Sequence, residues 1–410
     1  MSRPYPELVE IEQAVEIILQ KAATAGTELV PLYEADGRIL AEGITAKENI
    51  PPFDRSPYDG YAFRAQDVAG AGEAAPVTLQ IIEEVPAGHV STKKVEAGEA
   101  VKILTGAPIP EGADVVEKFE STIFDEHTVR ISSPLKPGSN ICRAGEDVRV
   151  GEMLVKAGSR INSAAFGLLA GLGYARVKVY RQLKAAIIST GSELIPVEAA
   201  LTPGKIRNSS SYMLCSTLKK WGVAADIYGI VEDRTESIIR AIEECAGAYD
   251  VIVTTGGVSV GDYDLVEEAL VRMGAKILLW KVKMKPGMAF LAAIYQGKLI
   301  LGLSGNPSAA AASLYLIGKP VLGKMSGLAE YGLKKCRVSL LQNVPKKSPG
   351  RRLIPGVLRI IDTRACLDAK WEQGNGMLSQ WNGCSLIGEI PPGTPPLEKG
   401  TVIDAYYVAE

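Results

Sequence analysis

The sequence predicts a fold of the α/β plus β class, in which a doubly wound, mostly parallel α/β central domain is flanked by β-rich domains. Two observations predict it. Apolar strand patterns and amphipathic helix patterns alternate over residues 184–323, which is typical of a parallel sheet with helices on both faces. Proline and glycine instead break residues 50–140 and 330–410 into short β-rich runs, which are typical of small sheets or barrels.

The individual elements follow from hydrophobic periodicity. Apolar residues at helical spacing predict a first helix over residues 7–23. The strands predicted in the α/β segment cover residues 183–189, 224–231, 250–255, 276–282, 289–293 and 299–303. The helices predicted between them cover residues 209–221, 263–273 and 307–316, with one more that begins at an N-cap Asp233 and ends near residue 246.

The composition argues against several classes of function. Lys and Arg number 45 against 47 Asp and Glu, so a general nucleic-acid or anionic-membrane surface is not expected. Only two histidines are present, which leaves little material for histidine metal sites or catalytic triads. Six scattered cysteines without CxxC spacing indicate reduced thiols. With no apolar signal region and no uninterrupted apolar span, we expect a cytoplasmic protein without a membrane segment.

Four glycine-rich loops follow strands of the α/β segment, at the sheet edge where such folds bind ligands. They cover residues 189–193, 254–261, 281–287 and 302–307. Turns of this kind present backbone N–H groups to phosphate or another oxyanion, although they are also found as plain tight turns. The candidate binding residues are Thr190, Gly191, Ser192, Gly256, Gly257, Ser259, Lys281, Lys285, Pro286, Ser304, Gly305 and Asn306.

Carboxylates follow the same strand ends. Glu193, Asp233 and Asp264 offer the hard oxygen ligands that Mg²⁺ prefers, so the sequence predicts a magnesium site beside a bound phosphate. Two alternatives stay open: Asp233 as a simple helix N-cap, and Asp264 as part of a solvated first helical turn.

Three lysines, Lys281, Lys283 and Lys285, alternate along the end of one predicted strand. A period of two places them on one face, where they either gather positive charge at an anion or protect an exposed edge strand. In the first β-rich segment, proline, aromatic and Asp-Gly residues crowd into residues 51–61. Asp59 is the candidate functional residue there, and the alternative is an Asp-Gly turn.

Taken together and in order, the motifs resemble those of the molybdopterin molybdenumtransferases of the MoeA type, a family that includes the C-terminal domain of gephyrin. They are PPFDRSPYDGYA (51–62), ILTGAPIPEGADVV (103–116), RAGEDV (143–148), STGSEL (189–194), TTGGVSVGDYD (254–264), KPGMAF (285–290) and GLSGNP (302–307). The resemblance covers essentially the whole chain.

The resemblance implies an elongated, four-domain subunit. Residues 1–48 and 140–180 would form an elongated connecting domain, whose first helix is also a candidate to pack on the α/β domain. Residues 49–139 would form a β-rich substrate-cleft domain, residues 181–327 the α/β molybdopterin-binding domain, and residues 328–410 a small C-terminal β-barrel.

The resemblance also implies an enzyme of molybdenum cofactor biosynthesis, a molybdopterin molybdotransferase. Such proteins bind adenylylated molybdopterin, cleave the adenylate with a divalent cation, here Mg²⁺, and insert molybdate into the dithiolene with release of AMP. They form homodimers whose active cleft lies between the α/β domain of one subunit and the second domain of the other. A separate molybdopterin adenylyltransferase would be the partner that supplies the substrate.

Site residues are carried over one position at a time. The resemblance implies roles in activity for Asp59, Thr105, Asp147, Glu193, Asp233 and Asp264. It assigns Lys281 and Lys285 to molybdate or phosphate, and Arg351 and Ser379 in the last domain to oxyanion binding. The chain departs from the family pattern at Ser304, where GLPGNP is common, and at Val357, near which a second arginine is expected.

Two other functions compete with this one. A molybdopterin adenylyltransferase would share the α/β domain, but the flanking β-rich domains argue against it. A non-catalytic scaffold of the same fold would not need Asp59, Glu193 and Asp264, which are all present. Tungstate is an alternative oxyanion, because it is a tetrahedral dianion very similar to molybdate.

Overall fold

A computed structural model describes residues 4–258, 265–369, 374 and 376–408. The chain divides into two compact units. Unit 1 comprises Met1–Glu42, Ala157–Asn162 and Arg176–Glu410, and unit 2 comprises Gly43–Lys156 and Ser163–Ala175. The predicted four-domain division is finer than these two units and stays a prediction.

Unit 1 contains a seven-stranded sheet in which one strand runs antiparallel to the others. In spatial order its strands are β1 (Glu7–Val9), β17 (Lys276–Val282), β18 (Phe290–Tyr295), β19 (Lys298–Leu303), β16 (Val251–Thr255), β12 (Lys184–Thr190) and β15 (Ala224–Val231). The antiparallel strand is β18, so the other six strands end at the same edge of the sheet. The predicted doubly wound, mostly parallel sheet is confirmed.

Helices cover both faces of this sheet because its strands are apolar on both sides. Along β12, Ala185 and Ile187 pack into one core, while Ala186 and Ile188 pack into the other. The first core includes α1 (Ile11–Leu19), α3 (Ser210–Lys220), α6 (Pro307–Ser313) and α7 (Lys319–Met325). The second includes α4 (Thr235–Ala246) and α5 (Leu265–Arg272).

The last helical region is longer than the periodicity predicts. A single π-helical segment, Leu314–Gly318, joins α6 to α7 without a break, so helical backbone continues to Met325. Ala310, Ile317 and Val321 are buried along it. Among the described residues, no helix has the length and the apolar character that a membrane crossing requires.

The C-terminal part of unit 1 is a closed five-stranded barrel, which leaves no unpaired sheet edge. Its strands, in spatial order, are β20 (Lys335–Leu340), β22 (Arg364–Asp368), β21 (Arg352–Ile361), β23 (Leu386–Ile390) and β24 (Val402–Tyr407). Two small strand pairs complete unit 1: β2 (Thr27–Pro31) with β11 (Arg176–Tyr180), and β13 (Leu194–Ile195) with β14 (Ile206–Arg207).

Unit 2 is built on a six-stranded sheet. Its strands, in spatial order, are β7 (Val115–Lys118), β4 (Gly60–Phe63), β6 (Glu99–Ile103), β5 (Val77–Val85), β9 (Thr128–Ile131) and β8 (Thr122–Phe124). A strand pair, β3 (Ile44–Thr45) with β10 (Met153–Val155), and helix α2 (Ser163–Gly171) also belong to it. Tyr61, Phe63 and Leu79 are almost completely buried in its core.

Candidate functional site

At the carboxyl edge of the seven-stranded sheet, Asp233 fixes the loop that follows β12. The Thr190 hydroxyl and the Ser192 backbone N–H both donate to the Asp233 carboxylate, the second at 2.9 Å. Thr190 is buried, whereas Ser192 is exposed. The carboxylate therefore orients the first glycine-rich loop from the neighbouring strand end.

The N-cap reading of Asp233 is wrong. Helix α4 begins at Thr235 with Arg234 as its N-cap, and no side chain caps it. The Asp233 carboxylate is directed instead to the loop after β12, where two donors at separate positions satisfy it better than a single helix end. This contact joins residues that are 43 positions apart in the chain, so local spacing alone does not reveal it.

The loops after β12 and β16 approach each other at Gly256. This residue has a φ of +93°, and a Cβ at this position would lie 2.0 Å from the Thr190 carbonyl oxygen. Its N–H donates to the Leu303 carbonyl at 3.1 Å, which ties the loop to β19. A Cβ at Gly305 would lie 3.4 Å from the Gly256 Cα. Three of the predicted glycine-rich loops therefore meet at one place, and only glycine fits at position 256, where two of the backbones touch.

Hydroxyl groups hold the loop that follows β19. The Thr255 hydroxyl donates to the Ser304 carbonyl at 3.2 Å, and the Asn306 N–H donates to the Ser304 hydroxyl at 3.3 Å. Ser304, which stands in place of a family proline, thus makes a local turn contact of its own. Gly305 and Asn306 are exposed beside it.

A buried polar cluster below these loops was missed at the sequence level. The Ser189 and Ser211 hydroxyls are 2.5 Å apart, and the Asn208 amide donates to both at 3.0 Å. All three residues are buried. The run Asn208-Ser-Ser-Ser before an apolar helix is the signal that would have found it, because buried polar groups need partners. The cluster anchors the end of β12 to the start of α3.

Glu193 offers a carboxylate at the same edge. Its Oε2 would lie only 2.7 Å from a Cβ at Gly191, so the carboxylate lies against that glycine. The residue is exposed, and within the described part of the chain its carboxylate has no hydrogen-bond or ion-pair partner. Ser259 and Asp264 lie outside the described residues. Among the described residues, no group of three or more His, Cys, Asp or Glu side chains is arranged to hold a metal ion.

The lysine loop, residues 281–287, departs from the predicted alternation. Lys281 has a φ of +66° and its ammonium lies 3.5 Å from the centre of the Trp280 ring. Strand β17 ends at Val282, and the Lys283 ammonium pairs with Glu10 at 3.0 Å. The expectation that one regular strand face gathers all three lysines is therefore wrong, because Lys281 has left-handed backbone and Lys283 and Lys285 lie beyond the end of the strand.

Lys285 is the lysine that stays available. It is exposed, and among the described residues its ammonium has no partner. Gly287, two residues later, packs against α6, where the Ser313 hydroxyl lies 3.4 Å from its carbonyl oxygen. The loop is thus fixed at its end, while Pro286 and Lys285 lie at its surface.

The structure places the two candidate residues of the last domain differently. Arg351 is 8% exposed and its guanidinium contacts Glu12, Tyr406 and Glu389, so it is not directed to the glycine-rich loops as a free cation. Ser379 lies in a short turn, Leu378–Trp381, whose Trp381 indole N–H donates to Ser308 at 2.9 Å.

The Ser379 turn forms one side of an open, mainly apolar cavity of about 720 Å³. Asn208, in the segment leading into α3, and Tyr212, on α3 itself, also line this cavity. The buried polar cluster and this cavity therefore share Asn208.

Unit 2 brings its own three motifs together. The Arg55 N–H donates to the Cys142 carbonyl at 2.9 Å, and the Ser56 N–H donates to the Ala107 carbonyl at 3.0 Å. The Asp54 carboxylate, which was not predicted as a site residue, accepts from the Arg143 side chain at 2.6 Å. The segment of residues 51–61 therefore lies between the other two motifs.

Asp59 and Thr105 are neighbours in unit 2. The Thr105 N–H and hydroxyl donate to the same Asp59 oxygen at 2.7 and 2.8 Å. The backbone hydrogen bond and then the hydroxyl hydrogen bond hold the pKa of Asp59 below its ordinary value. Asp147 is exposed, and its N–H donates to the Ile50 carbonyl at 3.0 Å. Both hydrogen bonds end on one oxygen of the Asp59 carboxylate, so Thr105 leaves the other oxygen available.

Comparisons with known proteins cover nearly the whole chain. A family model described as "MoeA N-terminal region (domain I and II)" matches residues 9–173, and one described as "Probable molybdopterin binding domain" matches residues 186–324. A molybdopterin molybdenumtransferase of Staphylococcus epidermidis is 35% identical over 396 residues, which are 97% of this chain and 94% of that protein. Its counterpart in Staphylococcus aureus is 36% identical over the same shares.

Solved structures agree with the sequence comparisons. The molybdopterin biosynthesis moeA protein of Pyrococcus horikoshii superposes with a TM-score of 0.82 at 32% identity, over 98% of this chain and all of that chain. A molybdenum cofactor biosynthesis protein of Pyrococcus furiosus, at 19% identity and a TM-score of 0.59, has a similar fold.

Proposed function

The chain belongs to the molybdopterin molybdenumtransferase family of molybdenum cofactor biosynthesis enzymes, and from this premise we propose that it cleaves adenylylated molybdopterin, releases AMP and inserts molybdate in a reaction that depends on Mg²⁺. The observation that carries the proposal is the meeting of three glycine-rich loops at Gly256, beside the exposed carboxylate of Glu193. Backbone amides, hydroxyls and oxygen ligands are the groups that suit phosphate and molybdate oxyanions.

Mg²⁺ fits the donor set of these loops. The ion prefers hard oxygen ligands and usually takes one or two protein carboxylates together with waters and substrate phosphates. Glu193 is exposed and without a partner among the described residues, and Asp233 lies one strand away with its carboxylate already oriented. When bound there, Mg²⁺ would neutralise phosphate charge and polarise the phosphoanhydride. Asp264 is proposed as a further ligand on the resemblance alone.

The chain's own groups would bind and orient the substrate. Asp233 accepts from the Thr190 hydroxyl and the Ser192 N–H and so holds this loop in one conformation, so that it needs no rearrangement when an oxyanion binds. Lys285 supplies a compact positive charge at the surface of the lysine loop. Asp59 offers a carboxylate whose pKa the two hydrogen bonds from Thr105 hold below its ordinary value. We assign Lys285, Asp59 and Asp147 to the same proposed reaction.

The proposal extends to the assembly and the cell. A homodimer, a separate molybdopterin adenylyltransferase as the source of substrate, and a cytoplasmic location stay predictions. Tungstate also stays an alternative oxyanion, because it is a tetrahedral dianion of the same charge as molybdate.

The test is a reconstituted reaction. The purified protein is incubated with adenylylated molybdopterin and either molybdate or tungstate, with and without Mg²⁺, and both AMP release and metal insertion are measured. A parallel sample with molybdopterin and ATP tests the adenylyltransferase alternative. The proposal is contradicted if AMP release is the same without Mg²⁺, or if ATP is consumed instead.

Glu193→Gln and Glu243→Gln make a matched pair for this experiment. Both residues are exposed glutamates, but Glu243 lies on α4, away from the loop residues. We expect Glu193→Gln to require more Mg²⁺ for half-maximal AMP release, while Glu243→Gln behaves as the wild type. An unchanged Mg²⁺ requirement in Glu193→Gln would remove this residue from the metal site.

A further inference from the structure

Arg351 is a buried arginine within an ion cluster that the proposed chemistry does not use. Its two terminal nitrogens donate to the two Glu12 oxygens, each at 2.7 Å. The Nη2 group also donates to the Tyr406 hydroxyl at 2.7 Å, and Nε lies 2.7 Å from Glu389 Oε1. Burial opposes the charge, but the hydrogen bond to Glu12 and the surrounding negative charge raise the pKa of Arg351 above its usual value.

The cluster connects two parts of unit 1, the first helix and the barrel. Glu12 lies in the first turn of α1, whereas Glu389 and Tyr406 lie on barrel strands β23 and β24. Arg351 itself directly precedes β21. The guanidinium therefore joins the first helix to the barrel.

The backbone of the same residue holds the lysine loop. The Lys285 N–H donates to the Arg351 carbonyl at 2.9 Å, and the Leu353 N–H donates to the Lys285 carbonyl at 2.9 Å. On the α1 side, the Lys283 ammonium lies 3.0 Å from Glu10, whose other oxygen is 4.0 Å from Arg351 Nη1. The lysine loop is thus tied to the Arg351 cluster both through its backbone and through a side chain.

This arrangement leaves the guanidinium little capacity for an oxyanion. Its two terminal nitrogens donate to Glu12, Nε lies 2.7 Å from Glu389 Oε1 as an ion pair without hydrogen-bond geometry, and its side chain is 8% exposed. An incoming anion would have to compete with Glu12, which already accepts from both terminal nitrogens of the guanidinium. Lys285, next to it, is exposed and has no partner among the described residues.

We propose that Arg351 is a positioning residue, which fixes the lysine loop between α1 and the barrel and so determines where Lys285 meets the oxyanion. This role replaces the direct oxyanion contact that the sequence resemblance implies for Arg351. The inference rests on the proposed function in one respect, the binding of the oxyanion by the lysine loop.

Two variants separate a positioning role from a ligand role. Arg351→Lys keeps the charge but not the fork that reaches Glu12, Tyr406 and Glu389 at once. Glu12→Gln leaves Arg351 in place and removes its carboxylate partner. If Arg351 positions the loop, both variants change the reaction in the same direction. If Arg351 binds the oxyanion, Glu12→Gln frees the guanidinium and leaves molybdate affinity unchanged or higher.

The first measurement is independent of activity. Amide hydrogen exchange of Lys285 and Leu353 is compared between the wild type and both variants, and we expect faster exchange at both amides. Arg272→Lys and Glu236→Gln are the controls, because this arginine–glutamate pair lies exposed on α5 and α4. Unchanged exchange in Arg351→Lys and Glu12→Gln would overturn the proposal, whether or not the proposed reaction occurs.

The second measurement is the KM for molybdate and the kcat of metal insertion. A displaced lysine is expected to raise KM about tenfold in both variants, with a smaller change in kcat, because small misplacements of a binding group are costly. A higher KM in Arg351→Lys together with an unchanged or lower KM in Glu12→Gln would overturn the positioning role. If Arg351→Lys does not fold, Glu12→Gln still decides, since the Glu12 side chain is 59% exposed and its replacement is mild.

Discussion

Replacing Gly256 with alanine tests whether the close approach of two loops holds the site together. The new Cβ would lie 2.0 Å from the Thr190 carbonyl oxygen, so the loop after β16 or the loop after β12 has to move. The residue also has a φ of +93°, which costs an alanine about 1–2 kcal/mol. Relief of the clash adds about 1–3 kcal/mol, the usual cost of an overpacked site. We therefore expect a total loss of roughly 2–5 kcal/mol in the free energy of unfolding.

Gly274→Ala is the matched control. Gly274 has a φ of +72° but no heavy atom within 4 Å of the position of a Cβ, so only the backbone cost of about 1–2 kcal/mol applies. Urea denaturation gives the difference between the two variants, and AMP release gives the effect on the site. We expect Gly256→Ala to be the less stable variant and to lose most of its activity, while Gly274→Ala stays active. Equal stability of the two variants, or full activity of Gly256→Ala, would refute the reasoning.

Three further predictions follow from hydrogen bonds of single carboxylates. Asp233→Ala leaves the Thr190 hydroxyl and the Ser192 N–H without their acceptor, so AMP release should fall about 10- to 100-fold, as for other residues that orient ligands. A wild-type rate would contradict this. Thr105→Val removes one of the two hydrogen bonds to Asp59, so the pKa of Asp59 should rise part of the way to its ordinary value. Carboxyl NMR follows this pKa, and a fall or no change would count against the assignment. The hydrogen bond from Arg351 lowers the pKa of Glu12 from 4.5 to about 2. The contribution of the Glu12 carboxylate to stability is therefore complete above pH 4.5 and is lost as the pH falls toward 2. The shift corresponds to about 3 kcal/mol, which solvent screening at a half-exposed side chain reduces to roughly 1–2 kcal/mol. In acid unfolding, Glu12→Gln should not show this loss of stability between pH 4.5 and 2. Identical stability–pH curves for the wild type and Glu12→Gln would exclude the contribution of Glu12.

The local sequence pattern predicted the strands and helices of the α/β sheet well. It failed for side chains whose hydrogen-bond partner lies far away in the sequence. Strands such as β12 are recognisable because both of their faces are buried, which requires a continuous apolar run. The N-cap assignment of Asp233 failed because the spacing of residues 233–236 contains no information about Thr190, which is brought beside it only by the pairing of β12 with β15.

The lysine loop shows the same limit. Alternation predicted three lysines on one face, but a left-handed residue at Lys281 and the end of β17 at Val282 interrupt the strand. Arg351 appeared from resemblance to be an oxyanion ligand, and only the arrangement of α1 against the barrel shows that carboxylates already surround it.

The sequence by itself determined the fold class, the family and the loops that carry the chemistry, because these depend on residue types and on spacing along the chain. The tertiary structure alone decided which polar groups are paired and which are available. Glu193 and Lys285 are exposed and have no partner among the described residues, whereas Lys283 and Arg351 are occupied by carboxylates from α1 and the barrel. The physical reason is that a charge is compensated by whatever lies within a few ångströms of it, and those neighbours come from elements hundreds of residues away.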